Sequence, residues 1–515
     1  MAEYDVIICG AGAGGGFLAG EIAAKGSVLI LDAGPHIKGD VNPGVGSPER
    51  RKYSTQITLG NYIPDGMYAI NRGRSFFAYP LYADASNPTS FVVLREARIV
   101  GGGSQINVGA WLRPWKIDFD GFAAETGVKG WSRDDFLPHF ERAERILNVH
   151  RNRREQWNPA SVLYEQAAKS LGIPTFETAS NRKNCIFCGH RNNAGMPCKY
   201  DSLMSTAMTQ IPKALQAGAT LVDNATVVKV EIDGRKATGV TYRVDGALVT
   251  AKARKLVVVA AGAIGTPLIL FSSGVNLVNA NVGKYLRAHP GISVEAWVPG
   301  YDWNSDRGYQ WNLHHFLMNA NGDPMDAVVH ATASFPTTTH LSCQVGDYGR
   351  PYKDLMRRYR ERCGAWIFHL KPNMFGRVIG NVDNPVVRYP MVDTSGRLEP
   401  KILKETVATI RQVGQIFRKM GATIVLPNPD APNDILEPDV SLRMTGAGLF
   451  HSQGTCRAGV DRKNSVVDSD CMSHDIANLM CCDASVIPHH INANSNAMVM
   501  AVASKCADFV NRSIL

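Results

Sequence analysis

The sequence predicts an α/β protein built on a doubly wound parallel sheet, and three observations near its start carry that prediction. The run YDVIIC (residues 4–9) is continuously apolar, as a strand buried on both faces of a parallel sheet must be. Gly10, Gly12 and Gly15 then form G-x-G-x-x-G at the mouth of a segment of helical composition, GGFLAGEIAAKG. A second apolar run, SVLILDAG, ends in Asp32, about 20 positions after the glycines. Together these make a βαβ unit for a dinucleotide. The glycines let the backbone approach a pyrophosphate, the helix N-terminus offers amide donors and a favourable dipole, and Asp32 can accept from a ribose hydroxyl. The motif by itself does not separate NAD from FAD.

Composition bounds the rest. A chain of 515 residues, 45% hydrophobic and 20% charged, is long enough for one large core or two joined ones. Its net charge of +9 is spread along the chain and the densest basic stretch, RNRREQW, is short, so nothing points to a nucleic-acid partner. No apolar run reaches the roughly 18 to 20 residues of a membrane span, and residues 1–9 do not read as a signal peptide. The eleven cysteines are odd in number and include the adjacent Cys481 and Cys482 in a strand-like run, which argues against a disulfide framework. Reduced thiols and no leader make a cytoplasmic location the expectation.

A second glycine stretch lies far from the first, in REARIVGGGSQINVGAWLRPWKIDFD, which begins at residue 95. Four further segments follow: VVVAAGAIGTPLILFSSGV (257–275), VGKYLRAHP (282–290), HSQGTCRAG (451–459) and NLMCCDASVIP (478–488). With the opening stretch, these six segments resemble, in order, the signatures of the glucose-methanol-choline (GMC) oxidoreductase family. The resemblance implies FAD as the cofactor, with Gly10, Gly12 and Gly15 at the pyrophosphate, Asp32 at the ribose and Val227 meeting the adenine through its backbone. It places Gly102, Ser104 and Asn107 along the flavin, with Asp483 and Ala484 closing the site from the C-terminal side. Several relatives attach the flavin to a histidine just before the Asn of GGxSxxN. That position is Ile106 here, so non-covalent FAD is expected.

The resemblance also implies the chemistry, oxidation of a primary or secondary alcohol to a carbonyl. A base must take the hydroxyl proton while hydride leaves the carbon for the flavin, and histidine suits that task near neutral pH. His451 stands where the family places its catalytic histidine, and the second member of the pair falls 11 positions after Asp483, at Asn494. An amide can hold the alcohol oxygen by hydrogen bond but cannot be the base, which leaves that role to His451. Asn492 and Asn496 flank Asn494, Ser495 stands where relatives with Asn usually carry Pro, and His489 and His490 share the loop, so a one-turn shift would bring in a histidine instead.

Cys185, Cys188, His190 and Cys198 fall within 14 residues and have the ligand types for zinc or iron. The bland alternative is a set of packed thiols, and no metal is expected. This segment resembles one in sugar-oxidising relatives and tilts the expected substrate toward a sugar, glycoside or polyol; aryl or aliphatic alcohols are the alternative. A lyase of the same fold with structural FAD and an electron-transfer subunit are the remaining rivals. Trp303, Tyr309, Trp311, His314 and His315 lie where a substrate-binding sheet should begin, but strand alternation prevents Trp311 and His315 from both lining a pocket with Asn312. RRYRERC (357–363) reads as a solvated helical face, and WSRDDFLPHFERAERIL (131–147) as a capped scaffold helix with Phe136, Phe140 and Ile146 spaced along it. The expected division is an FAD-binding domain over 1–290 and 446–515, with a lid and cysteine loop near 150–200, and an interposed α+β substrate domain over 291–445 built on an antiparallel sheet. The partners expected are a small-molecule alcohol and oxygen or another electron acceptor.

Overall fold

The structure, a computed structural model, describes residues 2–36, 76–82, 93–187, 202–303, 308–309, 311–318, 324–333, 349–369, 375–389, 400–426, 428–430 and 448–515. Strand β1 (Glu3–Cys9) runs parallel to β2 (Val28–Leu31) on one side and to the strand Ala247–Val259 on the other. Thr220–Val222 extends the parallel set beyond β2, and Leu479–Cys481 joins Ala247–Val259 along its C-terminal end. Thr226–Asp233 and Lys236–Val244 complete this seven-stranded sheet as an antiparallel meander leading into Ala247–Val259. Val6, Ile7, Ile8 and Cys9 have no exposed surface, as their unbroken apolar run requires. Helix α1 (Ala13–Ile22) packs between the Gln210–Gln216 helix and the final helix, Ser495–Ser513. The scaffold helix forms over Arg133–Ile146, with Ser132 accepting from the Asp135 amide and the Asp135 carboxylate accepting in return, and with Phe136 and Phe140 buried.

The second sheet is wholly antiparallel. Its strands run in the order Ile424–Leu426, Arg287–Trp297, Arg362–His369, Pro324–Ala333, Leu313–Met318 and Phe176–Glu177, with Gly448–Gln453 pairing to the first half of Arg287–Trp297. It therefore draws strands from both sides of the 291–445 interval. One face packs Val294, Ala296, Ala365 and Ile367 against Ile410, Val413 and Phe417 of the Pro400–Lys419 helix and Tyr164 of the Pro159–Ser170 helix. The opposite face carries Phe316, Trp366 and Phe368, packed with Trp115, Phe176 and Phe450.

The expectation of a solvated helical face at 357–363 is corrected. That helix ends at Arg357, and Arg362 and Cys363 open a strand with each 1% exposed. Arg362 is tolerated there because Glu295, 4% exposed on the neighbouring strand, meets its guanidinium at 2.9 Å. A charge run is solvated only when no buried partner exists, and that partner is 67 residues away. His315 turns to the packed face, its Nε2 hydrogen-bonded to the Tyr164 hydroxyl at 2.9 Å, while its neighbour His314 points the other way onto Thr178 at 2.8 Å.

Candidate active site

The two glycine segments meet in space. Gly12 is the N-cap of α1, three residues after β1, and no side chain caps that N-terminus, so the first-turn amides are left for an anion. Gly10 (φ 111°) backs onto the turn after Ala247–Val259, where a Cβ would come within 2.3 Å of the Ala260 carbonyl oxygen. Gly102 (φ 51°) opens the short helix Gly102–Ile106, and a Cβ there would lie 2.7 Å from the Cα of Gly12. A Cβ on Gly15 would sit 2.0 Å from the Gly10 oxygen, which is what lets α1 lie tight on its strand. By contrast a Cβ on Gly103 meets no atom of the described residues within 4 Å, so among them that side of the helix borders open space. A cradle bare of side chains beside unpaired amides fits a pyrophosphate.

Asp32 holds this cradle together. Its carboxylate accepts from the amides of Ala11 and Gly34, both at 2.8 Å, and each oxygen keeps a second lone pair for a ribose hydroxyl. Burial pushes its carboxyl up to about 6, with the two amides pulling the other way. Ala225 donates to the Asp32 carbonyl at 2.7 Å, which sets Val227 on the edge strand next to the same end of the cradle. Ser104, expected along the flavin, is fully buried, and its hydroxyl donates to Gly101 O at 2.6 Å and meets Thr206, whose own hydroxyl donates to Gly12 O. Its side chain thus joins the two glycine segments. The Asn107 side-chain oxygen accepts from Gly109 N at 3.0 Å and shapes the turn after the helix. Asp483 accepts from Gly262 N (2.8 Å) and Ser485 N (2.7 Å), tying the start of the Gly262–Ser272 helix to the C-terminal segment, while the carbonyl of Ala484 accepts from Gly454 N at 3.1 Å. Burial raises the Asp483 carboxyl above its ordinary value, against its several hydrogen bonds.

His451 sits on the strand Gly448–Gln453 with φ 58°, a left-handed backbone that non-glycine residues rarely adopt and that costs about 1 to 3 kcal/mol. Its Nδ1 lies 2.9 Å from Nδ1 of His289, which is fully buried on the adjoining strand. The Phe368 ring flanks it at 5.3 Å, and Phe368 and Trp366 both pack edge-on against Phe450. Asn494 is the N-cap of the final helix, yet its side chain makes no cap hydrogen bond and its buried Oδ1 has no partner among the described residues. The final helix packs against the His451 strand, and Trp366, which joins Phe450 in one cluster, also packs on Ala493 in another. The elements that carry His451 and Asn494 thus pack against one another, with Trp366 touching the apolar clusters beside both. His490 instead stacks on His289 (centroids 6.4 Å, 24°), and His489 donates to the Glu125 carboxylate.

Glu125 also takes Nη2 of Arg287 and Nη1 of Arg457, and Arg287 donates to the carbonyl of Pro488. One carboxylate therefore fixes the strand of His289, the segment after His451 and the loop leading to Asn494. Glu96, on Val93–Ala97, hydrogen-bonds Ser452 beside His451, and burial pushes its carboxyl up to about 7. None of His289, Glu96, Glu125, Trp366, Phe368 or Phe450 stands out in the sequence; only His289 and Glu96 lie inside the signature segments, at 282–290 and in the stretch that begins at residue 95. Cys185 has the Arg182 guanidinium 3.8 Å from its sulfur, whereas Cys188, His190 and Cys198 lie outside the described residues. Among the described residues no three His, Cys, Asp or Glu side chains are grouped to hold a metal, and no helix is long and apolar enough to cross a membrane.

This fold and site define a flavoenzyme: the chain belongs to the GMC oxidoreductase family, whose patterns match residues 5–291 and 376–503. It is an FAD-dependent oxidoreductase acting on the CH–OH group of alcohols, and FAD is its non-covalent cofactor. It is 26% identical over 524 residues to an uncharacterized GMC-type oxidoreductase, y4nJ, of Sinorhizobium fredii, spanning 98% of this chain and 94% of that one. An oxygen-dependent choline dehydrogenase of Paraburkholderia xenovorans is 25% identical over 565 residues, with 98% and 94% covered. The crystal structure of pyridoxine 4-oxidase from Mesorbium loti superposes with a TM-score of 0.71 at 18% identity, covering 99% of this chain and all of that one, which shows the shared fold.

Proposed function

We propose that the chain oxidises a ring-bearing alcohol to the carbonyl, with His451 as base and Asn494 holding the alcohol oxygen. The observation that carries this is His451 itself. It is held in a strained backbone conformation, anchored through Nδ1 and flanked by Phe368, so Nε2 is the nitrogen offered to a hydroxyl. Asn494 donates from its amide nitrogen to the same oxygen, its side chain not being committed to a helix-capping bond. When bound, FAD supplies the two-electron acceptor for the hydride and passes the electrons to oxygen or another acceptor. His451 takes the hydroxyl proton on Nε2, so the C–H pair leaves as hydride and the C–O bond becomes a carbonyl. Phe316, Trp366, Phe368 and Phe450 exclude water and offer flat apolar surface to a ring. That lining favours an aryl alcohol over the sugar or polyol that the cysteine segment suggests.

The same reading assigns 1–290 and 446–515 to FAD and 291–445 to substrate. Eight free cysteines among the described residues support a reducing, cytoplasmic location. The test is an anaerobic titration of the holoenzyme, followed in the flavin band, with benzyl alcohol, glucose and glycerol. Bleaching by benzyl alcohol that is lost in H451A and slowed in N494A is the expected result. Bleaching by glucose or glycerol alone moves the substrate to the sugars and polyols, and a band that no alcohol bleaches favours the lyase.

A further inference from the structure

We propose that His289 is the positioning partner of the base: it accepts the Nδ1–H of His451 on its own Nδ1 and so holds His451 in the tautomer whose Nε2 bears a lone pair. This rests on the reading of His451 as base. The two Nδ1 atoms stand 2.9 Å apart with ring planes 74° from parallel, a hydrogen-bond separation that admits a single proton. Two protons would collide in that gap, and none would set two lone pairs against each other. Only two neutral arrangements remain. If His289 donates, the proton of neutral His451 resides on Nε2 and no base faces the substrate. If His451 donates, Nε2 is bare and can accept the hydroxyl proton.

After that proton arrives, the imidazolium still donates its Nδ1–H to His289, so one hydrogen bond orients the base before reaction and steadies its charge afterwards. This is the part a carboxylate plays in a serine-protease triad, here taken by a neutral ring. The surroundings keep that ring in place and disfavour a charge on it. His289 is 0% exposed, His490 stacks on it, and Arg287, two residues earlier on the same strand, already brings a positive charge that Glu125 neutralises. The strand pairing of His289 with Phe450, next to His451, fixes the approach of the two rings.

The test is the ¹⁵N–¹H NMR spectrum of holoenzyme labelled in histidine, with the His451 signals assigned by H451Q. The expected spectrum shows His451 carrying its proton on Nδ1, with that proton strongly downfield. In H289A the downfield proton disappears; in H289N, whose side-chain oxygen replaces Nδ1 as acceptor, it returns. Flavin reduction by benzyl alcohol should follow the same order, about 10- to 100-fold slower in H289A and largely restored in H289N. A proton found on Nε2 of His451, or a downfield Nδ1 proton untouched by H289A, overturns the proposal. The base is tested separately: if H451A bleaches as fast as wild type while the Nδ1 signal still depends on His289, the hydrogen bond stands and the base assignment falls.

Discussion

Replacing Glu125 with glutamine removes the one carboxylate that, among the described residues, faces Arg287, Arg457 and His489. The side chains of Arg287 and Arg457 are 1% and 5% exposed, so the loss strands two buried guanidinium groups without a counter-charge. Burial alone would raise the Glu125 carboxyl, but the His489 hydrogen bond and the charge of Arg287 outweigh it and hold it at about 2 instead of 4.5. At ~1.4 kcal/mol per pH unit that difference is worth about 3 kcal/mol, within the range for breaking a buried ion pair. For 515 residues at roughly 2 cal/mol/K each, the melting entropy is near 1 kcal/mol/K, so E125Q should melt about 3 °C lower. Thermal unfolding of the holoenzyme, followed by flavin fluorescence, measures it. Because the folded-state pKa is depressed, the stabilisation is complete above pH 4.5 and fades as pH falls toward 2, so the gap between wild type and E125Q should narrow between pH 5 and pH 3. A variant within about 0.5 kcal/mol of wild type at pH 7, or a gap that does not narrow in acid, would refute the ion-pair account.

Glu96 carries the opposite sign. Its carboxyl is raised by burial from 4.5 to about 7, so wild type loses stability as pH rises through that interval. E96Q has no such loss, and its advantage should grow by up to ~2 kcal/mol between pH 5 and pH 8 after allowing for partial exposure, as read by urea unfolding. In the cradle, G10A drives a Cβ into the Ala260 carbonyl and should yield little folded protein, whereas G103A meets no atom of the described residues. G103A should therefore fold with native circular dichroism and bind FAD more weakly; undiminished flavin content would show that the space beside Gly103 is not cofactor volume. Y164F removes the hydrogen bond to His315 on the packed face of the second sheet, and should cost about 1 to 2 kcal/mol while leaving the rate of flavin reduction unchanged. A fall in that rate would place the Tyr164–His315 pair in the reaction.

The sequence by itself determined the nucleotide half of this protein. β1, α1 and β2 are local: an apolar run, a glycine turn and a helix within 34 residues name their own conformation, because strand burial, positive φ and helix N-termini are each set by neighbours in the chain. Asp32 was legible for the same reason, since its spacing from the glycines fixes where it falls. His451 and Asn494 stood out through their flanking segments, and Ser132 announced its helix through a capping box. What surrounds them was decided only by tertiary structure. His289 reaches His451 across 162 residues, Glu125 gathers Arg287, Arg457 and His489 from separate segments, and Arg362 looked solvated until Glu295 lay beside it. The physical reason is that a hydrogen bond, an ion pair or an aromatic wall depends on distance in space, and distance between strands of an antiparallel sheet is set by pairing register. Register depends on every strand at once, and no short stretch of sequence contains it.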